Sequence, residues 1–111
     1  MRIAEEFNLD GEIIKDTEVY HLVDNTHLKN LVVSTTSLHP GKSTRGHSHE
    51  GQEEVYIFLS GSGFMYLDEH QMPVKKGDVV TVEDGVFHRV TNPSKTQDLY
   101  FLCVFEGSRN H

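Results

Sequence analysis

The stretch GKSTRGHSHEGQEEVYIFLSG, Gly41 to Gly61, decides how the chain is read. It sets two histidines one residue apart, follows them with adjacent glutamates, and runs into valine, isoleucine, leucine and aromatic residues before stopping at glycine. Residues i and i+2 of a strand share a face and lie ~6.6 Å apart along the chain. A strand here lets His47 and His49 aim both rings at one point. The turn-like run Glu50-Gly51-Gln52-Glu53 lets the chain reverse and bring Glu54 to the same point. Glu53 is the alternative carboxylate; Glu54 is preferred because it shares strand parity with Tyr56 and Phe58. Imidazole nitrogen and carboxylate oxygen are the usual donors to a borderline or moderately hard divalent metal. A further donor must come from a distant strand. His88, in EDGVFHRVTN, fits, since it lies on an apolar stretch just after a glycine turn.

Outward from this segment a period of two dominates. Strands are predicted over Thr17–Val23, Leu31–Leu38, Glu54–Ser60, Phe64–Asp68, Gln71–Val74, Asp78–Val82, Phe87–Thr91 and Leu99–Phe105, all rich in Val, Ile, Thr, Tyr and Phe. Turn signals separate them: Gly61-Ser62-Gly63, read as a hairpin turn, then Glu69-His70, Lys76-Gly77-Asp78, Asp84-Gly85 and Asn92-Pro93. Only the first residues, around IAEEF, read as helical. Short strands at this spacing predict an all-β fold, an antiparallel sandwich or barrel. Glu54–Ser60 and Leu99–Phe105 are apolar on both faces. One face can line a barrel interior; the other calls for a second sheet or a second subunit, hence a homodimer.

The chain has 111 residues, enough for one domain with one core. Its 17 acidic and 10 basic side chains give a net charge of −7. The basic residues are scattered, so no stripe follows a phosphate backbone, and a nucleic-acid partner is not expected. Cys103 is the only cysteine and sits in the apolar run LYFLCVF, where a buried thiol acts as a small hydrophobe. No run approaches the ~20 apolar residues of a membrane span, and MRIAEEFNLDGEI lacks the apolar stretch of a signal peptide. A soluble cytoplasmic protein is the expectation.

The glycine-to-glycine spacing resembles the cupins, which carry the motifs G-x5-H-x-H-x3–4-E-x6-G and G-x5-P-x-G-x2-H-x3-N. Gly41, His47, His49, Glu54 and Gly61 fall in the first; Gly77, Gly85, His88 and Asn92 fall in the second, with Glu83 where the proline is expected. That proline shapes a turn and is not a ligand. The resemblance implies a single small cupin domain over residues 1–111, a double-stranded β-helix or jelly roll, with motif one at 41–61 and motif two at 77–92. It also implies His47, His49, Glu54 and His88 as ligands of one metal. His21, His27, His39, His70 and His111 read as surface residues, with His39 near enough to the motif to touch a pocket.

Three neutral imidazoles and one carboxylate leave a divalent metal with a net charge near +1 and, if it is six-coordinate, two open positions. A substrate can then chelate through two oxygens, and a carbonyl is polarised toward an enolate. Mn, Fe, Ni or Co suit this set; Zn prefers fewer ligands. The expected ligand is a small oxygenated metabolite such as a sugar or sugar acid, with isomerase-type chemistry. A partial resemblance to cupin-type phosphosugar isomerases runs through Thr44, Gly46, His47, His49, Glu54 and Tyr56, and Tyr56 is its candidate for proton transfer. Glu83 and Asp84 replace the paired prolines of that signature. A metal-dependent dioxygenase and a non-enzymatic metal or ligand-binding module are the alternatives. Lys42 and Arg45, flanking the first motif, are candidates to meet an anionic substrate at the barrel mouth.

Overall fold

The computed structural model of the protein describes residues 7–107. Among these residues nine strands follow one another: β1 Glu12–Asp16, β2 Tyr20–Asn25, β3 Leu31–Leu38, β4 Glu54–Ser60, β5 Ser62–Leu67, β6 His70–Lys75, β7 Val79–Val82, β8 His88–Thr91 and β9 Leu99–Glu106. They form a six-stranded sheet, β1-β2-β3-β9-β4-β7, and a three-stranded sheet, β6-β5-β8, with every pairing antiparallel. This is an all-β jelly roll, as the sequence leads one to expect. Among the described residues there is no helix, so none is long and apolar enough to cross a membrane. The expected helical stretch over residues 3–7 lies, apart from Phe7, outside the described residues, as does His111.

The inner face of the large sheet is built in rows. Lys15, Leu22, Thr36, Phe101 and Phe58 face one another across five strands. Asp24, Ser34, Cys103, Tyr56 and Val80 form the next row, and Val32, Phe105, Glu54 and Val82 the third. The first row runs into the core, where Phe58, Leu38, Met65 and Leu99 are fully buried. The other two rows bring Asp24, Ser34 and Glu54 in among apolar residues, so the site lies at the open end of the same sheet.

Three readings of the sequence need correction. Gly61-Ser62-Gly63 is not a hairpin turn: β4 and β5 belong to different sheets, and Gly61 is where the chain crosses between them. Its φ is +87°, and a Cβ there would lie 2.7 Å from the Asp98 carbonyl oxygen, so the crossing requires glycine. Phe64 and Tyr66, aromatic residues of a predicted strand and so expected in the core, are not core residues. Gly63 and Met65 point inward on β5, while Tyr66 lies outside beneath the Arg89 guanidinium, 4.5 Å from its ring centroid. Strand β1 was not expected, because EIIKD is exposed throughout and pairs only with β2.

Asn92, the last residue of the second motif, is structural. Its buried Nδ2 donates to the carbonyls of Leu38 and Gln97, and its Oδ1 accepts from the Ser94 amide. One side chain thus closes the loop between β8 and β9 against the end of β3.

Candidate metal centre

The first two histidines do not sit on a strand. Residues 42–49 run irregularly beside β8, tied by Asn92 N–H to Lys42 C=O, Thr44 N–H to Val90 C=O and a reciprocal pair between His47 and His88. Thr44 faces Val90 and His47 faces His88, so three steps on this segment match two on β8. The extra residue is a bulge at Arg45-Gly46. Gly46 makes it possible, with φ +79° and a would-be Cβ only 2.6 Å from Phe87 Cζ. The segment then ends at Asp84, whose Oδ1 accepts from the Gly51 amide, while Gly85 N–H donates to His49 C=O. Asp84 is therefore more than the solvated turn residue its sequence suggests.

This path folds the rings together. His47 and His49 have ring centroids 4.5 Å apart, closer than the strand spacing that led to them, and His47 lies 4.7 Å from His88. Glu54 opens β4 and is buried; its Oε1 lies 3.6 Å from His49 Nε2 and 3.5 Å from His88 Nε2. One donor atom from each of His47, His49, Glu54 and His88 falls within 4.8 Å of all the others, a cluster that could hold a metal ion.

His88 shows best that the cluster suits a cation. It is 3% exposed. Its Nδ1 donates to the Val86 carbonyl at 3.1 Å, which fixes the neutral ring with its lone pair on Nε2. That buried Nε2 has no hydrogen-bond partner. A lone pair held this way, beside a carboxylate oxygen, is the arrangement of a metal-binding imidazole with its outer partner in place.

Charge couples the cluster. Burial pushes the Glu54 carboxyl up, but the approach of His88 and the charges of His88, His49 and His47 outweigh it and hold the group below its ordinary 4.5. Burial likewise disfavours the His88 cation, yet Glu54 and the Val86 carbonyl raise it above 6.5. The signs give a prediction for metal-free protein. The His88 contribution to stability is present below pH 6.5 and is lost as pH rises through its raised value. The Glu54 contribution is present above pH 4.5 and is lost as pH falls through its lowered value. The melting temperature of metal-free protein should therefore gain most from this pair between pH 4.5 and 6.5. Added divalent metal, which needs unprotonated rings, should stabilise above that window and lose its effect below about pH 6. Melting curves with and without metal across pH 4–8 check both signs.

The cluster opens onto a cavity of about 450 Å³. Tyr56, Phe101 and Phe105 wall it on the apolar side, with Ser34, Thr36 and Thr44 supplying hydroxyls. Tyr56 bridges site and core, 5.8 Å from the His88 ring and 5.6 Å from Phe101. Cys103 is buried, as expected, but it also lines this cavity. Arg45 reaches it and Lys42 does not. His39 stays at the surface against Asp98. Lys15 is a lining residue that sequence reasoning missed, because β1 was missed.

A cupin has this fold and this cluster, and the comparisons agree. The profile of the Cupin domain family matches residues 34–105, and the chain belongs to that family. It is 35% identical over 91 residues to the oxalate-binding protein of Thermotoga maritima, covering 80% of this chain and 74% of that one. It is 31% identical to a glucose-6-phosphate isomerase of Pyrococcus abyssi over 85% of this chain, which spans only 56% of that enzyme. Among solved structures, a predicted oxalate decarboxylase from Thermotoga maritima superposes with a TM-score of 0.71 at 30% identity, covering 78% of this chain and 79% of that one.

Proposed function

We propose that His47, His49, Glu54 and His88 hold one divalent metal, and that the chain is a metal-dependent enzyme on a small oxygenated metabolite that chelates through two oxygens. The buried Nε2 of His88, without a hydrogen-bond partner and 3.5 Å from Glu54 Oε1 on the lining of a mixed polar and aromatic cavity, carries this reading. A bound Mn, Fe, Ni or Co ion would supply Lewis-acid polarisation of a carbonyl. The chain's own residues supply the rest. Thr44 Oγ1 accepts from the Val90 amide and keeps its proton to donate to a ligand oxygen. Phe101 and Phe105 keep water from the apolar side. The Tyr56 phenol lines the cavity near His88 and would move a proton at the carbon next to a chelated carbonyl. Isomerisation of a hydroxy-carbonyl compound is the reaction these groups serve.

A second reading has its own support. Among the described residues Glu54 is the only carboxylate of the cavity lining, and the Thermotoga relative is named for binding oxalate. A module that holds a small dicarboxylate without turnover fits that lining. Solvent-deuterium exchange into hydroxy-ketone sugars, followed by NMR with metal-loaded protein, separates the two. Exchange that falls about 100-fold in Tyr56→Phe with ligand affinity kept supports the enzyme. Tight oxalate binding with no exchange supports the module, and oxygen uptake with Fe(II) supports a dioxygenase instead.

We further propose a homodimer through the outer face of the six-stranded sheet. There Ile13, Val23, Thr35, Leu102, Ile57 and Val79 form one row across all six strands, flanked by Val33, Val104 and Val55. Ile13 and Val79, at its two ends, are each 60% exposed. Wild-type protein is expected to run as a dimer in analytical ultracentrifugation and Ile57→Glu as a monomer with its metal retained; a wild-type monomer contradicts the proposal.

A further inference from the structure

We infer that the ligand of this site carries, beyond its chelating head, an anionic group, a carboxylate or a phosphate, held at the cavity mouth by Lys15 and Arg45. The inference rests on the chelation reading above. Both cations reach the cavity through a backbone irregularity. Along β1, Ile13 pairs with Val23 on the outer face of the sheet. In an unbroken strand Lys15 would share that face. Instead the register shifts between Ile13 and Lys15, with Ile14 as the extra residue, and Lys15 pairs with Leu22 on the inner row. Ile14 and Lys15 both line the cavity as a result. Arg45 arrives through the bulge it forms with Gly46 opposite Arg89.

The charge pattern points the same way. The chain carries −7 overall, yet among the described residues its cavity lining holds Lys15 and Arg45 against the single carboxylate of Glu54. The buried Asp24, on the neighbouring row, does not line the cavity. Among the described residues neither cation has an ion-pair partner, whereas Lys75 pairs with Asp78 and Arg89 packs on Tyr66. With a divalent metal in place, the cavity is a concentrated positive region on a negative protein, which draws in and retains anions. Its volume of about 450 Å³ lies within the range of small-molecule pockets and leaves room for a tail beyond a two-carbon chelating head.

Calorimetry on Mn(II)-loaded protein tests this with three probes that share an α-hydroxy-carboxylate head: glycerate, malate with a carboxylate tail, and 3-phosphoglycerate with a phosphate tail. Wild type is expected to prefer at least one tailed ligand over glycerate by about 30-fold or more, as charge-assisted hydrogen bonds would give. Whichever tail gains identifies the anion. In Lys15→Met/Arg45→Met the preference should fall to about threefold or less, with metal content and melting temperature unchanged because both side chains are exposed. Equal binding of all three by wild type overturns the inference and leaves chelation standing. A preference that survives the double variant overturns the roles of Lys15 and Arg45. No binding of any probe to metal-loaded protein overturns the chelation reading and this inference with it.

Discussion

His88→Ala is expected to weaken divalent-metal binding by at least about 100-fold. Loss of an outer partner of a ligating histidine alone typically costs 10–100-fold, and here the ligand itself is removed. The expectation rests on the position of the ring. His88 opens β8 at a fixed register with His47, its Nδ1 is tied to Val86, and its Nε2 faces Glu54 at 3.5 Å. Among the described residues, His21 and His39 are held near Asp16 and Asp98, away from the cluster. Metal titration by calorimetry, with circular dichroism to confirm folding, checks it. An unchanged affinity in the folded variant would remove His88 from the ligand set.

Phe58→Ala should cost about 3–5 kcal/mol, the range for emptying a buried aromatic site. Phe58 has no exposed surface and sits against Phe101 at 5.4 Å and Tyr56 at 6.4 Å between ring centroids. Its backbone is also fixed, since Phe58 N–H donates to Asp78 C=O and its carbonyl accepts from Gly77 N–H. The surrounding sheets therefore have little freedom to collapse into the void. The loss should also loosen Tyr56, the wall between core and cavity. Urea unfolding of the metal-free protein measures it directly; a cost below about 1 kcal/mol would mean that the aromatic cluster is not the keystone of this core.

The sequence exposes the parts of this molecule that are written locally. Strands β3 and β4 fall where their runs of β-branched and aromatic residues put them, because both lie inside the six-stranded sheet with one face on the core. Three of the four clustered side chains lie within eight positions of each other, and the fourth follows a glycine turn, so spacing alone brings them to notice. Other features depend on long-range pairing. His47 and His49 meet through an irregular segment stitched to β8, which no local pattern encodes. Strand β1 has polar ends and no buried face, so its only mark is its partner β2. Lys15 could be placed at the cavity only once the register shift in β1 was visible. Gly61 reads as a hairpin glycine because the sequence gives no sign of which sheet β5 joins.

X-ray absorption at the edge of a metal loaded into untagged protein reads the ligand set itself. Stoichiometric metal bound by three imidazoles is expected, with oxygen donors from Glu54 and solvent filling the remaining positions. Fewer than three imidazoles, or a sulfur donor from the cavity-lining Cys103, would contradict the assignment of His47, His49, Glu54 and His88 as the metal ligands.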